Sequence, residues 1–333
     1  MPTPKQPLAD FLQGKQRILV TTHARPDGDA LGSCTAMAEL LEKLGKKPEI
    51  ITPTPYSPKY DFMCTNRPVK AFEKDKTSGN WDGLMVLDTG TWNQLAEMGD
   101  WIKKQSFPIC VLDHHVTQDN LGYPLMVDTN AEATGRLVYE CFEHFSVTPS
   151  AFAANQIFVA LATDTGWFRH ANTTTDSLAL AARLVALGAQ TTSNYDLLFD
   201  SNSFSRQRLI GTVLERISSR QNGKVVFSWL SLKDFEKNQA KFPDAEDVIM
   251  YLRGTKGAEI IVFFLEVNEN TTRVNFRSRN NLNVCQIAQS FGGGGHKLAA
   301  GASVEMKLEN AMEKVLKACE GTILSTKIEV KNA

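Results

Sequence analysis

Short apolar runs that stop abruptly at carboxylates or imidazoles constrain this chain most. RILVTTHARPDGD (17–29), GLMVLDTG (83–90) and ICVLDHH (109–115) share this pattern. Each run is too short for a helix and reads as a buried strand, and helical segments separate the runs. Gly45 closes an amphipathic helix that follows the first strand. This rhythm predicts an α/β domain on a parallel sheet, in which ligands gather beyond the carboxyl ends of the strands.

Further on, residues 131–145 and 150–166 read as two helices. The second is Ala-rich and should be buried, ending at Asp164, and SLALAARLVALGA closes near Gly188. The aperiodic stretch 189–204 reads as a linker, although YDLLF within it has the pattern of a short helix. Beyond it KVVFSWL, EIIVFFLEV and TTRVNFRSR read as strands of a smaller α+β domain. The expected division is therefore 1–188, a linker 189–204 and a second domain 205–333, with a cleft between the domains.

The sharpest motif is His23-x-x-x-Asp27-x-Asp29 in a Pro-Asp-Gly-Asp turn, where Gly28 is expected to permit a chain reversal. Asp88, Asp113, His114, His115 and Asp164 also stand where apolar segments end. Carboxylates at the ends of core segments need counter-charges, and few Lys or Arg residues lie beside them, so metal ions would fill the gap. Mixed Asp/His ligation suits Mn²⁺, Zn²⁺, Fe²⁺ or Co²⁺, and the absence of Cys argues against a closed structural zinc site. Two such ions would activate a water against a phosphate ester or anhydride. Asp113 is expected to orient a histidine or to stabilise the turn rather than to ligate.

FGGGGHKLAAG (291–301) reads either as a plain flexible Gly-rich turn or as a nest of backbone N–H groups followed by a helix-like AA segment whose positive end would face an anion. Arg277-Ser278-Arg279 lies at the end of a strand, and Arg suits bidentate phosphate recognition. Trp167 and Phe168 have two readings, base stacking or core packing, and Arg169 and His170 likewise have two, contact with substrate or a surface loop.

Charge is close to balanced overall, at −1, but not along the chain. Residues 1–200 hold 17 basic and 23 acidic side chains, and 201–333 hold 19 and 14. An acidic half suited to cations precedes a basic half suited to anions, which disfavours long nucleic acid while leaving room for a nucleotide-sized fragment. The six cysteines form no C-x-x-C pair, no secretory leader is evident at MPTPKQPLAD, and no apolar run reaches bilayer-spanning length, so a cytoplasmic protein without membrane association is expected.

HARPDGDALGS, VLDTG, VLDHH and ATDTGWFRH together resemble the DHH phosphoesterase family, and FRSRNNLNVCQIAQSFGGGGHKLAAG resembles its DHHA1 substrate-binding domain. The ordered set is most similar to the compact members that combine oligoribonuclease with 3′-phosphoadenosine 5′-phosphate phosphatase activity. The resemblance implies two manganese ions. His23, Asp27 and Asp88 would hold one, and Asp29, Asp88, His114 and Asp164 the other. His115 would contact the scissile phosphate and assist the leaving group, making His115, Asp88 and His114 the catalytic set. Arg277, Ser278, the Gly292-Gly293-Gly294-Gly295 loop and His296 would hold the substrate. Its substrates would be very short RNA, linear dinucleotides and adenosine 3′,5′-bisphosphate. Cyclic-dinucleotide phosphodiesterase is the alternative, followed by pyrophosphatase or exopolyphosphatase, and a homodimer is a possible assembly. Arg136 departs from the family pattern, in which Glu commonly follows Thr-Gly, and bears on substrate preference.

Overall fold

The computed structural model describes residues 6–123, 125–279 and 282–332. The chain divides into two compact units between Ser201 and Asn202.

The first unit is built on six parallel strands. They are β1 (Arg17–Thr21), β2 (Lys47–Thr52), β3 (Val69–Ala71), β4 (Gly83–Leu87), β5 (Ile109–Asp113) and β6 (Leu125–Val127). Their order is β3-β2-β1-β4-β5-β6, so the strand order reverses at β1 and β4. β4 is buried along its whole length and β1 everywhere except Arg17, as expected of strands covered on both faces. One face carries the helices Gly28–Lys43, Thr134–His144 and Ala151–Asp164. The other carries Ala96–Ile102 with Leu95, Met98 and Ile102 against Leu19, Leu84 and Val111. Each such fully buried Leu contributes roughly 1.5–3 kcal/mol relative to exposure.

Gly28 does not act as a turn residue. It is the first residue of the helix Gly28–Lys43, and a Cβ there would meet Thr163 Cγ2 at 2.6 Å. Gly32, one turn on, lies against the Gln156 carbonyl and Ala160. Two glycines thus let this helix approach Ala151–Asp164 closely, which fixes Asp29 relative to Asp164.

The segment read as a linker is largely structured within the first unit. Thr191–Tyr195 is helical and Asp196–Asp200 forms a π-helical turn. Tyr195 and Phe199 pack edge-on against Trp167 at 5.2 and 5.5 Å between ring centroids. Aromatic anchoring, which has no short-range periodicity, is why the sequence reads there as aperiodic.

The second unit has β7 (Ser218–Arg220), β8 (Val225–Leu230), β9 (Ile260–Asn268), β10 (Thr271–Ser278), β11 (Gly294–His296) and β12 (Ala299–Val304) in the order β11-β12-β10-β9-β8-β7. The sheet is antiparallel except for the β8–β9 pair. On one face Val262, Val274 and Phe276 pack against Ala311, Val315 and Cys319 of the helix Leu308–Asn332. On the other, Ile261 and Phe263 pack against Leu209, Val213 and Ile249. Alternation along β10 puts Arg273, Asn275 and Arg277 on the face opposite Val274 and Phe276.

Candidate active site

The ends of β1, β4 and β5 deliver the acidic and imidazole side chains to one place. His23, Asp27 and Asp29 follow β1, Asp88 follows β4, His114 and His115 follow β5, and Asp164 ends the helix Ala151–Asp164. This is the reversal point of the sheet, where crossovers diverge and leave a crevice over the strand ends.

His23 Nε2 stands 3.8 Å from Asp27 Oδ1 and 3.5 Å from Asp88 Oδ2. His114 Nε2 stands 3.5 Å from Asp88 Oδ1, 3.4 Å from Asp164 Oδ2 and 3.8 Å from Asp29 Oδ2. Three groups could each hold a metal ion: His23–Asp27–Asp88, Asp29–His114–Asp164 and Asp88–His114–His115. Asp88 and His114 each belong to two of them, so these two side chains tie the cluster together.

The hydrogen bonds behind the cluster orient its donors. His23 Nδ1 lies 3.0 Å from the Ala24 carbonyl and His114 Nδ1 3.1 Å from that of Ala131. A carbonyl only accepts, so Nδ1 carries the proton in each ring and Nε2 faces the carboxylates. Asp29 is buried at the amino end of the helix Thr134–His144 and accepts from Thr134 N at 2.7 Å, Gly135 N at 2.9 Å and Ser33 Oγ at 2.9 Å. Asp88 accepts from Thr134 Oγ1 at 2.9 Å. Its backbone adopts φ 61° while its N–H bonds Leu112 O across to β5, a left-handed conformation unusual for a residue with a Cβ.

Burial, followed by the charges of Asp29, Asp88 and Asp27, pushes the Asp164 carboxyl up to about 9. Burial and neighbouring carboxylates also raise Asp29 and Asp88. Burial pulls His23 down, but Asp27 and Asp88 outweigh it and hold the imidazole at about 11. Among the described residues, no Lys or Arg forms an ion pair with these aspartates. Carboxylates crowded together with no Lys or Arg among them, and imidazoles that can give up a proton to ligate, fit divalent cations of borderline softness.

Asp113 takes the orienting role expected of it. Fully buried, it accepts from His115 Nδ1 at 2.8 Å, from His114 N at 2.9 Å and from Gln118 Nε2 at 2.5 Å. Its hydrogen bond raises the His115 pKa, with burial opposing. Thr134, Gly135, Ser33 and Gln118 were absent from the sequence reading, because none has a metal-ligand side chain and their roles depend on helices far apart in the chain. No local signal marks them, since the N-cap of the helix Thr134–His144 is Ala133, which offers no side-chain cap. Gly135→Ala puts a Cβ at 2.5 Å from Ala160 Cβ. It is expected to cost about 1–3 kcal/mol by overpacking, read as a lower urea midpoint, and to weaken Mn²⁺ binding by displacing the donors to Asp29.

In the second unit, two sequence readings are revised. The AA segment after the glycine loop is not helical, since β11 and β12 form an antiparallel hairpin pairing Gly294 with Gly301 and Gly295 with Ala300. The glycines also do not form an open nest. Gly292 N and Gly293 N cap the helix Val284–Gln289, donating to Gln289 O and Ala288 O at 3.0 and 2.8 Å. Gly293 and Gly295 are needed for packing, as a Cβ on either would run into the β12 backbone. Ser278 is buried with its hydroxyl on Arg279 O at 3.0 Å. Arg277 is half-buried, with NH1 donating to Phe276 O, and the His296 side chain lies outside the described residues. Trp167 and Phe168 pack on Phe158, at 5.9 and 6.1 Å between centroids, which favours their core reading. Arg136 pairs with Glu132, which lies just before its helix, and with Glu140 within the helix.

Residues 17–163 match the model of the DHH family, N-terminal domain, and residues 222–324 match the DHHA1 domain. The bifunctional oligoribonuclease and PAP phosphatase NrnA of Thermus thermophilus is 31% identical over 307 residues, covering 90% of this chain and 88% of the relative. The chain belongs to the DHH family. The Bacillus subtilis protein of the same name is 27% identical, with 86% of this chain and 89% of that one covered. The crystal structure of an exopolyphosphatase-related protein from Bacteroides fragilis has the same fold, with a TM-score of 0.89 at 22% identity across 98% of this chain and 97% of that one. As a DHH phosphoesterase the protein is a metal-dependent hydrolase. Among the described residues no helix is long and apolar enough to cross a membrane.

Proposed function

We propose that this protein hydrolyses phosphodiester bonds in very short oligoribonucleotides and linear dinucleotides, releasing nucleoside monophosphates, and removes a phosphate from adenosine 3′,5′-bisphosphate. The observation that carries the reading is the end-to-end similarity, through both domains, to bifunctional enzymes that act on oligoribonucleotides and PAP. His23, Asp27 and Asp88 would hold one Mn²⁺, and Asp29, Asp88, His114 and Asp164 a second; the ligand groups His23–Asp27–Asp88 and Asp29–His114–Asp164 support this division. Bound there, such ions supply Lewis-acid polarisation of phosphoryl oxygens and acidify a coordinated water.

The chain's own residues do the rest. His115, its Nδ1 engaged by Asp113, carries its second nitrogen toward the reacting phosphate and delivers a proton to the departing oxygen. The hydrogen bond to Asp113 raises the pKa of this ring against the opposing effect of burial, which favours the protonated form that the transfer needs. Arg277 and His296 hold the remaining phosphate or nucleotide backbone, in keeping with the basic balance of residues 201–333. In this reading the Gly292–Gly295 loop shapes the hairpin that carries His296. The six cysteines are free thiols, which suits a cytoplasmic enzyme.

The test compares a labelled dinucleotide, a 24-nucleotide RNA, cyclic di-AMP and adenosine 3′,5′-bisphosphate under Mn²⁺. The expected result is turnover of the dinucleotide and the bisphosphate at least about tenfold above that of the long RNA and the cyclic substrate. Preferential cleavage of the long RNA overturns the short-substrate reading, and preferential cleavage of cyclic di-AMP makes the enzyme a cyclic-dinucleotide phosphodiesterase.

A further inference from the structure

The acidic cluster raises a question of charge. Two divalent ions are fully matched by the ionised carboxylates of Asp27, Asp29, Asp88 and Asp164, and His23 and His114 are neutral when they ligate. A loaded centre of this composition has no net charge with which to attract a phosphate, so positive charge must come from residues around it.

The ligand-bearing loops carry two arginines, and both stand beside left-handed backbone. Arg25 lies between His23 and Asp27, is exposed and has φ 56°. Its loop is pinned on both sides, by Ala24 N on Gln94 O at 2.6 Å and Arg25 N on Thr54 Oγ1 at 2.7 Å. Arg169 follows Asp164 through Gly166, Trp167 and Phe168, whose φ angles are 58°, 59° and 61°. Left-handed backbone is strained where a Cβ is present, and here the rings of Trp167 and Phe168 offset that strain by packing on Phe158. The turn is bound back to the site, since Asn172 Nδ2 donates to Asp164 O and Glu132 O at 3.3 Å each. Arg169 is exposed, with Nε anchored on Gly166 O at 2.9 Å. Among the described residues neither arginine has a carboxylate partner, unlike Arg136, Arg183 and Arg216.

We infer that Arg25 and Arg169 form a cationic rim on the metal centre that binds the phosphate of the substrate and supplies the attraction the charge-matched centre lacks. Guanidinium groups suit this because they donate two parallel hydrogen bonds to phosphate oxygens and stay charged at all working pH values. This assignment rests on the metal-loaded reading of the cluster. It does not depend on which phosphate ester is the physiological substrate.

The test uses the full chain loaded with Mn²⁺ and inorganic phosphate as the probe. Affinities for Mn²⁺ and then for phosphate are measured by calorimetry on wild type, Arg25→Gln, Arg169→Gln, the double variant and Arg183→Gln as a surface control. Both arginines are exposed, so the variants should keep the wild-type melting temperature. Expected are Mn²⁺ affinities within about twofold of wild type. Phosphate affinity should fall about tenfold in each single variant and about a hundredfold in the double, with no change in the control and partial retention in Arg169→Lys. Phosphate affinity within threefold of wild type in the double variant overturns the inference, as does a Mn²⁺-loaded wild type that binds no phosphate. If the wild type hydrolyses none of the four nucleotide substrates, the proposed function fails while these binding data still decide the role of the rim.

Discussion

Asp88→Asn is expected to lower kcat/KM on adenosine 3′,5′-bisphosphate by at least about a thousandfold in saturating Mn²⁺, in line with losing a group that stabilises the reacting charge. Asp88 belongs to both the His23–Asp27 and the His114–His115 groups, so removing its charge damages the two halves of the cluster together. The substitution keeps the side chain's shape and can retain the hydrogen bond from Thr134 Oγ1. Folding should survive, and the far-ultraviolet circular dichroism should match wild type. More than a tenth of wild-type activity in a folded Asp88→Asn would refute the assignment of Asp88 as the shared ligand. His114→Ala, which affects the other shared member, should lose activity on a similar scale, whereas Asp113→Asn should retain metal and lose mainly turnover.

The second large effect is a pH dependence of stability that metal reverses. The carboxyl of Asp164 sits at about 9 in the metal-free fold, far above its value in an unfolded chain. A raised carboxyl favours the folded state while protonated, so its contribution is complete at low pH and drains away as pH rises from about 4 toward 9. Asp29 and Asp88 shift in the same direction for the same reason. With a chelator present, the first unit should therefore melt at least about 5 °C lower at pH 9 than at pH 6. Mn²⁺ should raise the melting temperature by more at pH 9 than at pH 6, because binding no longer has to displace those protons. Asp164→Asn should flatten the chelated profile. A chelated melting temperature that rises steadily between pH 6 and 9 would show that these aspartates are not crowded as described.

Much of this site was legible before any coordinates, because its ligands lie at the ends of short apolar runs. Buried parallel strands stop where polar ligands begin, so strand end and ligand coincide at Asp88, which follows β4, and at His114, which follows β5. The tight spacing of His23, Asp27 and Asp29 leaves little freedom in how they are presented. The glycine loop was misread for the opposite reason. Four consecutive glycines are compatible with an anion nest, a flexible turn or a close-packed hairpin, and only the position of β12 against Gly293 and Gly295 selects the hairpin. Gly28 was misread in the same way, its neighbour Thr163 being far away in sequence.

The sequence by itself determined the donor chemistry, the α/β rhythm and the family, since each depends on residue type and local spacing along a strand or turn. Only the tertiary structure decided which carboxylates share a histidine, and that Thr134 and Gly135 anchor Asp29. Those relations join residues far apart in the chain, Gly135 and Asp29 by 106 positions. The packing of three helices on one sheet creates them, and no pattern within a single segment encodes that packing.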